Sequence, residues 1–116
     1  MRIAIKRVYE RPVPSDGARI LVDRLWPRGM SKERMKLDLW LKNIAPSTEL
    51  REWFGHDPKK WIGFQTKYKI ELAKNKEPVA ELNKIVKQNK TVTLLYAAKE
   101  EEHNEAVVIN NFISKK

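Results

Sequence analysis

The run Thr91-Val92-Thr93-Leu94-Leu95-Tyr96-Ala97-Ala98 constrains the fold of this chain more than any other segment. It joins β-branched residues to two leucines and lies between two stretches with helical spacing, which marks it as a strand. Upstream, Val79, Leu82, Ile85 and Val86 share one face of a helix expected after Pro78. Downstream, Ala106, Val107, Ile109, Asn110 and Ile113 describe a closing helix from His103 onward. Glu100, Glu101, Glu102 and Glu105 sit near its positive end. A strand set between helices is the unit of an α/β layer.

The N-terminal third supplies the neighbours. Residues 2 to 9 carry β-branched and aromatic side chains without helical spacing and read as a first strand. Pro12, Pro14 and Ser15-Asp16-Gly17 break it. Ile20-Leu21-Val22, inside 19 to 26, is an apolar triplet suited to a short strand buried on both faces, and Pro27 and Gly29 stop it. Ser31 before Lys32-Glu33-Arg34 resembles a helix cap. Residues 37 to 44 fit a helical face and a strand alternation equally. Pro46-Ser47 precedes Leu50, Trp53 and Phe54 in a short helix ended by Gly55. Asp57-Pro58 then opens a longer one with Trp61, Phe64, Tyr68 and Leu72 on its core face. The expected fold is therefore α/β: one small domain over residues 1 to 116, with a short, mostly parallel, three- or four-stranded sheet flanked by helices. The nine or so residues between the first two strands are few for a parallel crossover, which makes that pairing the weakest part of the topology.

Composition narrows the chemistry. With 116 residues, 41% apolar and 34% charged, the chain can bury one core. It has no cysteine, which removes disulfides, thiol nucleophiles and thiolate metal sites, and its two histidines lie 47 positions apart, so neither a metal nor another cofactor is expected. No apolar run approaches the ~20 residues of a membrane span, and Met1-Arg2 does not lead into a signal peptide. A cytoplasmic protein without membrane partners is the expectation. The formal net charge is +9, and seven of the eight arginines lie within the first 36 residues. Guanidinium forks bind phosphate or carboxylate bidentately, whereas scattered lysines mostly solubilise a surface.

Two constellations can use that charge. Asp23-Arg24-Leu25-Trp26-Pro27-Arg28-Gly29 straddles a strand end, where Arg24 and Arg28 could clamp an anion against Trp26 while Asp23 holds a guanidinium or takes a proton. An ion pair closing the sheet edge beside a core tryptophan accounts for the same residues. Lys99, His103 and Asn104 stand where the last strand passes into the last helix; helix N-termini attract anions, although Glu100 to Glu102 oppose one there and a purely structural helix start is the competing account. His56-Asp57-Pro58 reads most simply as a cap. If the strands are parallel, the first two constellations meet at the carboxyl edge of the sheet, where open α/β sheets bind ligands. No glycine-rich phosphate loop, G-x-S-x-G elbow or H-E-x-x-H motif is present.

The order of these blocks is itself informative. Val8-Tyr9, Asp16-Gly17, Leu21 to Gly29 with its Trp-Pro-Arg-Gly core, Ala45-Pro46-Ser47, Trp53-Phe54, His56-Asp57-Pro58 and Leu94 to Lys99 with His103-Asn104 together resemble the short, YeaO-like branch of the domain of unknown function 488 family, over nearly the whole chain. The resemblance implies a single α/β domain in a prokaryotic cytosol and names no substrate. Longer members carry cysteines near the last strand that this chain lacks, so no thiol or metal role carries over. A methyltransferase label attached to some members has no glycine-rich cofactor loop here to support it. The leading functional expectation is binding of a phosphorylated or other anionic small molecule, a nucleotide among the candidates. Arg24, Arg28, Lys99 and Asn104 would contact it, Trp26 would form a wall, and Asp23 and His103 would be the proton-transfer groups. Whether a reaction follows binding is left open. The alternative is a basic nucleic-acid-binding module, supported by the charge and by a pI near 9.9.

Overall fold

In the computed structural model, which describes residues 2–114, four strands form one sheet: β1 (Arg2–Arg7), β2 (Ala18–Leu21), β3 (Leu39–Trp40) and β4 (Thr91–Tyr96). Their spatial order is β1-β4-β2-β3, and each pairing is parallel. The last strand in sequence is thus inserted between the first two. The difficulty of a short parallel connection disappears, because β1 and β2 are not neighbours. Residues 8–17 need only return along the sheet, through a single 3-10 turn at Pro14–Asp16, and ten extended residues reach roughly 33 Å.

Side chains alternate across the sheet as a strand period of two demands. Ile3, Ile5, Ile20, Val22, Val92, Leu94 and Tyr96 face the larger core, where they meet Phe64, Leu82 and Ile109 from the helices. Leu21 and Leu95 face the other way, into a smaller cluster with Val8, Met35 and Leu37. The apolar triplet at residues 20 to 22 is therefore buried on both faces, as expected.

The smaller face also carries a polar network. Asp16, almost fully buried, takes the Arg19 guanidinium at 2.5 Å and the Lys6 ammonium at 3.1 Å, and accepts the Val13 N–H. Arg19 Nε donates to Met35 O. Burial alone would push the Asp16 carboxyl up, yet the Val13 N–H, Lys6 and Arg19 together outweigh it and hold the group below its ordinary value of 3.8. A carboxylate depressed in the folded state stabilises fully above the unfolded value, and that contribution drains away as pH falls through the folded one. Urea midpoints measured from pH 7 down to pH 2 are expected to fall more steeply for the wild type than for Asp16→Asn. Parallel acid limbs would show that the network adds nothing.

The helices are α1 (Lys32–Met35), α2 (Thr48–Phe54), α3 (Trp61–Lys74), α4 (Lys76–Gln88) and α5 (Glu105–Ser114). Ser31 and Ser47 cap α1 and α2, accepting the N–H groups of Arg34 and Leu50, and Gly55 ends α2 in the left-handed region. Asp57 caps a 3-10 turn, Pro58–Lys60, that leads into α3. On α3 Phe64, Tyr68 and Leu72 are buried, but Trp61 is only half-buried and packs against the core from its margin. The segment 37–44 resolves into the two-residue β3 and a 3-10 turn at Lys42–Ile44. Helix α4 begins two residues before Pro78, not after it, because proline is tolerated where the helix has no N–H acceptor to satisfy. Among the described residues no helix is long and apolar enough to cross a membrane.

Candidate functional site

Parallel strands β2 and β4 end side by side, with Leu21 paired to Leu95, so the segments that leave them emerge at one edge of the sheet. Asp23 ties the two exits together: its Oδ2 accepts the Ala97 N–H at 2.9 Å, and its carbonyl accepts Trp40 Nε1–H at 2.7 Å. Beyond them opens a cleft of about 570 Å3, bounded by the β2 exit, α2 and the start of α5. This is the carboxyl edge at which open parallel sheets hold ligands.

Three arginines line the cleft: Arg24 and Arg28 from the β2 exit and Arg51 from α2. Arg24 is fixed by main-chain carbonyls, its Nη2 donating to Ala45 O at 3.1 Å and its Nε to Pro46 O at 3.3 Å. The loop bearing Arg28 is pinned by Tyr9, whose hydroxyl donates to Arg28 O at 2.9 Å. None of the three makes an ion pair among the described residues, although Asp23, Glu52 and Glu105 line the same cleft. Trp26 forms part of the wall; its Nε1 donates to Met30 O and its ring meets Trp40 edge-on at 5.2 Å.

Glu105, the first residue of α5, lines the cleft together with Asp23. Burial pushes its carboxyl well above the usual range, and the hydrogen bond and charge of Asp23 push the same way. Its own main-chain N–H and the positive charge of Arg51 only partly offset them.

The remaining expected residues divide. His103 lines the cleft, with its ring 4.9 Å from that of Trp61 and its Nδ1 3.3 Å from Glu100 Oε1. Asn104 also borders the cleft but is buried, and its amide is engaged at the helix start: Oδ1 accepts the Val107 N–H and Nδ2 donates to Glu100 O. Lys99 emerges at the same edge as Asp23 but is exposed and does not line the cleft. His56, read from sequence mainly as part of a cap, does line it. Sequence reasoning missed Arg51 and Glu105 as members of the site. Arg51 is the one arginine outside the N-terminal cluster, and Glu105 was accounted for by the helix dipole alone. No group of three histidine or acidic side chains that could hold a metal occurs among the described residues.

Comparison with known proteins agrees with the sequence pattern. The chain is 44% identical over 113 residues to the uncharacterized protein YeaO of Escherichia coli strain K12, covering 97% of each. It is 37% identical over 113 residues to the uncharacterized proteins Mb3100c of Mycobacterium bovis and Rv3073c of Mycobacterium tuberculosis, covering 97% of this chain and 94% of theirs. No solved structure matches significantly. A family model described as the inactive DUF488-N3 subclade matches residues 2–116, and the chain belongs to that family.

Proposed function

We propose that this protein binds a phosphorylated or otherwise anionic small molecule in the cleft at the carboxyl edge of its sheet. The observation that carries the reading is the convergence of Arg24, Arg28 and Arg51 on one cavity without a carboxylate partner for any of them among the described residues. Guanidinium groups left unpaired beside carboxyls are poised for an anion from solution. The volume of about 570 Å3 falls within the usual range of small-molecule sites, roughly 300–1,000 Å3. Trp26 supplies a wall against which a planar group can lie. The description of the subclade as inactive supports binding without turnover, with Asp23 and His103 acting as ligand contacts and not as proton-transfer groups.

A concave arginine site favours a small ligand over a polymer, which would call for a basic stripe. The most exposed aromatic on the helical side, Trp53, is a poor base-stacking platform. Its ring lies so close over Gly63 that a Cβ there would meet it at 2.9 Å, and Lys60 and Lys67 each stand 5.1 Å from its centroid.

A thermal-shift screen against nucleotides, sugar phosphates and acidic metabolites tests the reading, since a ligand at 100 times its Kd stabilises by about 2.7 kcal/mol. Arg28→Lys is expected to weaken the best ligand at least tenfold despite the retained charge, and Lys74→Gln to leave it unchanged. If no small anion shifts the melt while a mixed-sequence duplex binds with a steep salt slope indifferent to Arg28→Lys, the protein is a nucleic-acid binder instead.

A further inference from the structure

The cleft holds two sets of polar groups that no ion pair joins among the described residues. Its arginines come from the β2 exit and α2, and its paired carboxyls, Asp23 and Glu105, sit where β2 and β4 run out against the start of α5. Asp23 cannot swing toward the guanidiniums, because its Oδ2 is fixed by the Ala97 N–H at 2.9 Å and its own backbone by Trp40 at 2.7 Å. Arg24 in turn is held by the carbonyls of Ala45 and Pro46. An anion alone satisfies only half of such a cavity.

Resting on the anion-binding reading above, we infer that the ligand is a ribonucleoside 5′-phosphate, its vicinal hydroxyls on the Asp23–Glu105 pair, its phosphate toward Arg28 and Arg51, and its base against Trp26. The chemistry of each part supports this. Asp23 and Glu105 bring carboxyl oxygens to the same cleft, where they accept, and a vicinal diol has two hydroxyls to donate. Three guanidiniums line the cavity with the carboxyls of Asp23, Glu52 and Glu105, and burial disfavours the charged form of Glu105, which tips the balance away from an ammonium. Trp26 meets Trp40 edge-on, and 40% of it is exposed, which suits a planar ring laid against it.

Calorimetry with adenosine 5′-monophosphate and its 2′,3′-dideoxy analogue tests the inference, with pyrophosphate as a third probe. The wild type is expected to bind the ribonucleotide at least tenfold more tightly than the dideoxy analogue, because a site built around hydroxyls leaves buried polar groups unpaired when they are missing. In Glu105→Ala the two affinities should converge to within about twofold, and Arg28→Lys should weaken both while keeping their ratio. Circular dichroism confirms folding, and Glu105→Gln, which keeps the size of the side chain, serves if Glu105→Ala does not fold. Equal binding of both nucleotides by the wild type, weakened by Arg28→Lys, overturns the diol subsite and leaves the anion reading standing. Binding of pyrophosphate but of neither nucleotide does the same. Failure of all three probes to bind overturns the nucleotide assignment, and the wider anion screen above then decides the anion reading.

Discussion

Gly17→Ala is expected to cost about 2–6 kcal/mol in urea denaturation, from roughly 1–3 for backbone strain and a similar amount for overpacking. Gly17 has φ 65° and ψ −137°, a conformation that L side chains rarely adopt. A Cβ there would lie 2.1 Å from Thr91 O, backbone that cannot move aside without disturbing the first residue of β4. The approach is close because the chain enters β2 across the start of β4, a crossing also fastened by Thr93, whose hydroxyl donates to Asp16 O at 2.7 Å. Gly29→Ala provides the comparison. Gly29 also has positive φ, 75°, but nothing lies within 4 Å of its would-be Cβ, so only about 1 kcal/mol is expected. Equal losses in the two variants would mean that the approach of Gly17 to β4 contributes nothing.

Phe64→Ala should be comparably severe, at about 3–5 kcal/mol, the usual range for removing a buried aromatic. Phe64 is 2% exposed and stacks on Phe54 at 4.4 Å and on Trp61 at 5.7 Å. It also lines the cleft, so its loss would remove part of the floor along with the core contact. Trp61→Ala should cost less, because Trp61 only borders that cluster. A Phe64→Ala protein with unchanged stability would place the aromatic cluster outside the core, and ligand affinity measured on the same protein reports whether the floor matters for binding.

The difference between Phe64 and Trp61 shows what periodicity can and cannot tell. Spacing of three and four assigned both to one helix face, correctly, but depth on that face depends on the α2 and α5 residues opposite, which no local pattern contains. The caps at Ser31 and Asp57 were legible for the opposite reason: each acts on an N–H group two or three residues away. Residues 37–44 resisted assignment because β3 is only two residues long and is specified by its partner, β2. The strand order was beyond local reading for the same reason. At the site, the rule that parallel strands present their carboxyl ends to ligand brought Asp23, Arg24, Trp26, Arg28 and His103 to the cleft. It would equally have selected Glu105, at the start of the helix that follows β4, had the helix dipole not offered a sufficient local reason for an acid there. Arg51 arrives through the packing of α2, a tertiary event with no counterpart in its own neighbourhood.

The insertion of β4 between β1 and β2 also governs how the protein comes into being. Arg2 pairs with Thr91 and Ala18 with Val92, so neither early strand has its central partner until four-fifths of the chain exists. Contacts of such separation slow folding, because loop closure must precede any reward. During synthesis at about 5–20 residues per second, β1 and β2 spend several seconds as unpaired edges, open to capture by other chains. A nascent chain or fragment that stops before residue 91 lacks the central strand of the sheet, and with it the Ala97 N–H that holds Asp23 in place. The carboxyl-edge cleft is therefore formed only once β4 and the segment beyond it are in place.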